Sequence, residues 1–124
     1  MSPRNFPDRD RGQAAVEFAL VLPLVVVVLL LVVQVTVVLV ERLRLAHTTR
    51  DAVRAASVSD EPARAARLAV DRNLPAATVE TRIVDHLVTV DLEIVVATDL
   101  ALIGPLLPDV TLRDRLVMVH EPTD

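Results

Sequence analysis

This chain of 124 residues has no cysteine, tryptophan, tyrosine or lysine, and only two phenylalanines and two glycines. Each absence excludes something. Without cysteine there is no disulfide framework and no thiolate metal site, so a folded part must rest on its own apolar core. With Phe6 and Phe18 the only aromatics, there is no platform on which bases could stack. All 13 basic residues are Arg, they never form a run, and the net charge is -4, which argues against a nucleic-acid partner. Two glycines cannot build a glycine-rich phosphate loop.

What is present is aliphatic. Hydrophobic residues make up 52% of the chain, and many lie in one place. From Phe18 to Val40 there are 23 residues without a charge, and Gln34 and Thr36 are the only clearly polar ones. At about 1.5 Å per residue, that run covers the roughly 30 Å hydrocarbon core of a bilayer. The competing reading is a buried core helix of a soluble protein, but such helices rarely hold more than about 15 wholly apolar residues. Beyond Val40 the chain is mildly acidic, with ten Arg against fourteen Asp and Glu.

Residues 1–12 are polar and broken by Pro3 and Pro7, and they read as a leader or disordered tip. A conventional secretory signal has a shorter apolar stretch followed by small residues. Here Glu-Arg-Leu-Arg follows Val40, so removal of the apolar segment is not expected. No Gly lies between Gly12 and Gly104, and no Pro between Pro23 and Pro62. The stretch after the apolar run keeps Leu45, Thr49, Ala52, Val53 and Ala56 at helical spacing, with Arg42, Arg50 and Arg54 left for solvent. One helix is expected over 13–58, with its membrane span at about 18–40. Pro23 inside it removes the partner of the Ala19 carbonyl, so a kink is expected there.

A short helix follows, capped by Ser59 or Asp60, with Pro62 in its first turn and Asn73 and Pro75 at its end. Then the period changes to two. In TVETRIV, Val79, Thr81 and Ile83 share one face. In LVTVDLEIVV, Val88, Val90, Leu92 and Ile94 share one face, with Thr89, Asp91 and Glu93 on the other. A tight turn at Asp85-His86 pairs Ile83 with Val88 and Thr81 with Val90, which keeps the apolar faces together. It also opposes Glu80 with Asp91, an unfavourable like-charge pair. A Pro-rich connection, DLALIGPLLPDV, leads to a last strand in TLRDRLVMVHEP. The fold class is therefore α+β: a long N-terminal helix, then residues 59–124 as a small domain of one short helix and about three antiparallel strands, leaning on the helix of residues 41–57.

Nothing in this pattern reads as an enzyme. His47, His86 and His120 fall in different elements, without metal-ligand spacing. Asp91 and Glu93 sit on one strand face and are read as solvated. Ser57 and Ser59 have no base nearby. No cofactor and no small-molecule substrate is expected.

The informative residues lie at the mouth of the apolar run. Gly12 immediately precedes it, and a residue without a side chain lets a protease approach the backbone closely; a helix N-terminal glycine is the bland alternative. Glu17 stands where hydrocarbon begins. The helix dipole favours a carboxylate there by about 0.3–1 kcal/mol. An ionisable group in a span costs about 2.5–3.5 kcal/mol at the centre and less near the edge. A positive partner would offset that cost. Cleavage after Gly12 would create one, the α-amino group of Gln13, on this chain or a neighbour.

Gly12, then Gln13-Ala14-Ala15-Val16, then Glu17-Phe18 and the long apolar run resembles the class III signal peptide of type IV pilins. GQAAVEFALVLPLVV is especially similar to the TadE-like pseudopilins of the Flp (tight adherence, type IVb-like) pilus system. The closing VMVHEP is similar to a Met-x-x-Glu feature of related tails. The resemblance implies a prepilin peptidase substrate cut after Gly12 on the cytoplasmic side, with Glu17 as the fifth residue of the mature chain and Glu17-Phe18 serving assembly. It implies a minor pseudopilin in pilus assembly, since the tail is longer than that of the major Flp pilin. The implied partners are the membrane, the peptidase, other pilins and the Tad secretion platform. The implied placement is a single-pass cell-membrane protein with a cytoplasmic N-terminus and an extracytoplasmic C-terminal domain. Charge alone does not orient the span, because Arg4, Arg9 and Arg11 precede it and Arg42, Arg44, Arg50 and Arg54 follow. The alternative is an unprocessed single-pass membrane protein whose C-terminal domain binds a partner.

Overall fold

The computed structural model describes residues 8–98, 104 and 108–121. The first seven residues of the expected leader lie outside that range, as does the Pro-rich connection apart from Gly104 and its end at Pro108, Asp109 and Val110. The elements, in chain order, are α1 (Asp8–Ser57), α2 (Pro62–Asn73), β1 (Thr78–Val84), β2 (Leu87–Val96) and β3 (Val110–Val119). By contacts the chain divides into two compact units, Met1–Val35 and Thr36–Asp124.

α1 starts at Asp8, earlier than the expected Gln13, and runs on through Pro23 as one helix. No proline lies between Asp8 and Gln13, so nothing in the chain chemistry stops the helix from extending back past Gly12. At its other end the Ser57 hydroxyl donates to the Arg54 carbonyl at 2.9 Å, and the Ser59 N–H reaches the Ala56 carbonyl. Pro62 then opens α2. The cap of α2 differs from expectation: Glu61 holds the N-cap position, and no side chain caps the helix. The Ser59 hydroxyl instead accepts the Glu61 N–H at 3.1 Å, a local turn that takes it away from the helix end. Pro62 has no N–H to satisfy, so the first turn tolerates the missing cap. At the end of α2 the Leu74 N–H bonds the Val70 carbonyl and the Asn73 amide bonds the Ala69 carbonyl.

The three strands form one antiparallel sheet in the order β1-β2-β3. Asp85 and His86 make the tight turn, both at positive φ (49° and 63°). Two such residues match the twist of the flanking strands. The turn sets the expected register, Ile83 opposite Val88 and Thr81 opposite Val90. One face of β2 is consequently buried, through Val88, Val90, Leu92, Ile94 and Val96. Leu45, Ala52, Val53 and Ala56 of α1 and Ala66, Ala69 and Val70 of α2 complete the core. Thr49 is also buried, and its hydroxyl donates to the Leu45 carbonyl at 2.8 Å, so no polar atom is stranded there.

On the other sheet face the opposed carboxylates of Glu80 and Asp91 do coincide. Their repulsion is relieved by arginines. Arg82 reaches Glu80 at 2.6 Å, Arg113 reaches Glu93 at 2.6 Å, and Arg115 bonds Asp91. Arg115 is held above the ordinary arginine pKa, first by its hydrogen bond to Asp91, then by attraction to Asp91 and to Glu80. The two arginines of β3 stand two residues apart, so both fall on the face that carries the acids.

Candidate functional site

The candidate site is the N-terminal part of α1. Gly12 lies on this helix, and a Cβ built there meets nothing within 4 Å. Its φ is not positive. Neither a turn nor a close approach within the chain therefore calls for glycine. Glycine inside a helix costs roughly 0.5–1 kcal/mol relative to alanine, so the position carries a cost that this fold does not repay.

One turn on, the Gln13 side-chain amide donates to the Glu17 carboxylate at 3.2 Å, an exposed contact between residues four apart. Spacing of four on a helix is the sequence signal that marks this pair. The amide is neutral. It satisfies one lone pair of Glu17 and leaves the negative charge uncompensated. Phe18 is 68% exposed and makes no part of the domain core. Pro23 follows within the same uninterrupted helix.

From Val16 to Val40 the large apolar side chains are mostly exposed, with only Leu30 and Val38 half-buried among them. The most apolar window of this helix has none of its residues buried, although it is long and apolar enough to cross a membrane. A core helix of a soluble protein would be covered by its own chain, and the stretch from Val16 to Val40 of α1 is not. Such a surface in water is strongly unfavourable, at about 25 cal/mol per Å² of exposed apolar area, and hydrocarbon removes the cost. Charge returns abruptly past the run. Glu41 pairs with Arg44 at 3.1 Å, and Arg42 stands exposed beside them. Long arginine side chains suit the boundary of a membrane span, where their charged heads reach the headgroup level.

These features define a class: a chain with one candidate membrane helix among the described residues, near the N-terminus, and a small α+β domain. The family model described as TadE-like protein matches residues 12–54, from Gly12 to Arg54 of α1. This segment is TadE-like, consistent with a protein of the Tad pilus system. No curated protein and no solved structure matches the chain.

Proposed function

We propose that this protein is a minor pilin-like subunit in the assembly of a Flp/Tad-type pilus, structural rather than catalytic. It is made with a leader of residues 1–12, cut after Gly12 by a prepilin peptidase, and held by a span at about 18–40. The N-terminus is cytoplasmic and residues 59–124 are extracytoplasmic, where they meet other pilins and the secretion platform. One observation carries the reading. The TadE-like match begins at Gly12, the residue whose lack of a side chain has no use within the fold. Glycine at the scissile position serves an outside reader of the backbone, and Glu17 lies at the fixed distance beyond it. The alternative, an unprocessed single-pass protein with a partner-binding domain, needs neither residue.

Deletion of the coding region should remove surface pili and pilus-dependent adherence, and supply of the full chain in trans should restore both. Electron microscopy of the cell surface and a surface-binding assay are the measurements. Unchanged piliation in the deletion strain would count against a role in pilus assembly.

A further inference from the structure

In the order β1-β2-β3, β1 lies at one edge of the sheet, and among the described residues no backbone group of another element pairs with its outer side. The strand contains no proline or lysine, and its register against β2 runs one to one without a bulge, so none of the usual devices blocks the edge. Main-chain bonds alternate in direction along an antiparallel strand. Val84 and Leu87 close the two-residue turn as a bonded pair, so Val79, Thr81 and Ile83 turn their N–H and C=O groups outward. The side chains of those three lie on the core side of the sheet, where Val79 and Thr81 are half-buried and Ile83 is 48% exposed.

We propose that two copies of this chain join through their β1 edges, antiparallel about a two-fold axis at Thr81, into one continuous sheet. The pairing uses the unit Thr36–Asp124 alone and goes beyond the pilus reading. Val79, Thr81 and Ile83 exchange main-chain bonds with Ile83, Thr81 and Val79 of the second copy. On the core side the two Thr81 hydroxyls meet at the axis and each Val79 covers an Ile83. On the outer side Glu80 of each copy stands directly opposite Arg82 of the other. Within one chain Glu80 faces Asp91, and its ion pair with Arg82 is exposed and therefore weak. The arginine of the second copy completes a row across the joined sheet: Arg115, Asp91, Glu80, then Arg82, two acids between two bases. Main-chain bonds supply the attachment and the alternate side chains supply the register.

The charges of β1 select this register. An axis at Glu80 or at Arg82 sets like charges directly opposite. An axis at Val79 or at Ile83 loses both ion pairs. The β3 edge does not offer the same solution, because an axis at Arg113, Asp114 or Arg115 again opposes like charges. A head-to-tail step from β1 to β3 of the next copy gives one ion pair at most. With Glu80 opposite Arg113, Arg82 faces Arg115; with Glu80 opposite Arg115, Val79 faces Asp114. The two-fold pair gives two ion pairs without a like-charge contact across the new seam, and its interface closes on itself.

The chain has no cysteine, so introduced thiols report contacts without background. In the proposed register Thr78 of one copy opposes Val84 of the other; both are exposed, and neither carries charge. Full-length Thr78→Cys and Val84→Cys chains are co-expressed, and membranes are oxidised mildly. The expected result is a disulfide-linked dimer in the mixture, absent when either variant is expressed alone. Adding Glu80→Arg to both chains should lower its yield several-fold, because Arg then faces Arg twice. Adding Glu80→Arg to one chain and Arg82→Glu to the other should restore it, because every cross-copy pair is again of opposite charge. A chain carrying both Thr89→Cys and Val117→Cys, opposed between β2 and β3, closes an internal disulfide and shows that the sheet is folded and the oxidant reaches it, with or without Glu80→Arg. With that control closed, absence of the mixed dimer, or a yield indifferent to the charge changes, would overturn the proposal. A dimer between Thr78→Cys and Thr111→Cys chains in its place would overturn it in favour of the head-to-tail step.

Discussion

Glu17→Ala should leave the chain made and inserted in the membrane, yet unable to support pili or to crosslink with other pilins. Insertion does not suffer, because alanine makes the start of the span more apolar. Assembly suffers because the carboxylate has a task that the isolated chain does not fulfil. Among the described residues Glu17 meets only the neutral amide of Gln13. The helix dipole contributes about 0.3–1 kcal/mol, against a cost of about 2.5–3.5 kcal/mol for an ionised group at the centre of a span and less at its edge. Under the proposed function, the cationic amine of a processed Gln13 on a neighbouring subunit would close that gap and fix the axial stagger between helices. Removing one member of such a pair costs on the order of 3–5 kcal/mol when it is fully buried and less near an interface. Glu17→Asp, with its shorter reach, should be partly impaired. The measurement is complementation of piliation, paired with crosslinking in membranes. Wild-type piliation by Glu17→Ala would reduce the residue to a helix-dipole role.

The second large effect concerns the domain. Residues 59–124 alone should be clearly less stable than 41–124 in denaturant titration. The shorter piece lacks Leu45, Ala52, Val53 and Ala56, which line the core against β2. A unit that small buries too little surface without them. Within 41–124, Leu45→Ala should lower stability by about 2–5 kcal/mol, because the side chain is 1% exposed and its removal leaves a cavity. Equal midpoints for the two pieces would show that the helix is not part of the core.

The parts of the fold that were legible in sequence were those written in a strong period. Val79, Thr81 and Ile83 alternate with Glu80 and Arg82, and a two-residue turn at Asp85-His86 follows from that alternation alone. The helical spacing of Leu45, Thr49, Ala52, Val53 and Ala56 marked a buried stripe, and all five are buried. Boundaries were harder. β3 runs over Val110–Val119 rather than on through His120 and Glu121, because there the backbone N–H groups turn to the His86 and Ser57 carbonyls. The α2 cap was misassigned because Ser59 and Asp60 both have capping chemistry, while the choice depends on where the Ser59 hydroxyl points. The arginine partners of Glu93 and Asp91 lie 20 and 24 residues away, on another strand. No local pattern announces such a pairing until the β2–β3 register is known. At the candidate site, Gly12 and Glu17 were legible as a motif. That nothing surrounds Gly12 required coordinates.

That empty space makes Gly12 the place to test the account. The intact mass of the protein recovered from membranes should show loss of residues 1–12 and an N-terminus at Gln13. Gly12→Leu should retain them, and because a Cβ there meets nothing within 4 Å, the fold should be undisturbed. Recovery of only the full-length chain, in cells whose prepilin peptidase is active, would contradict the account.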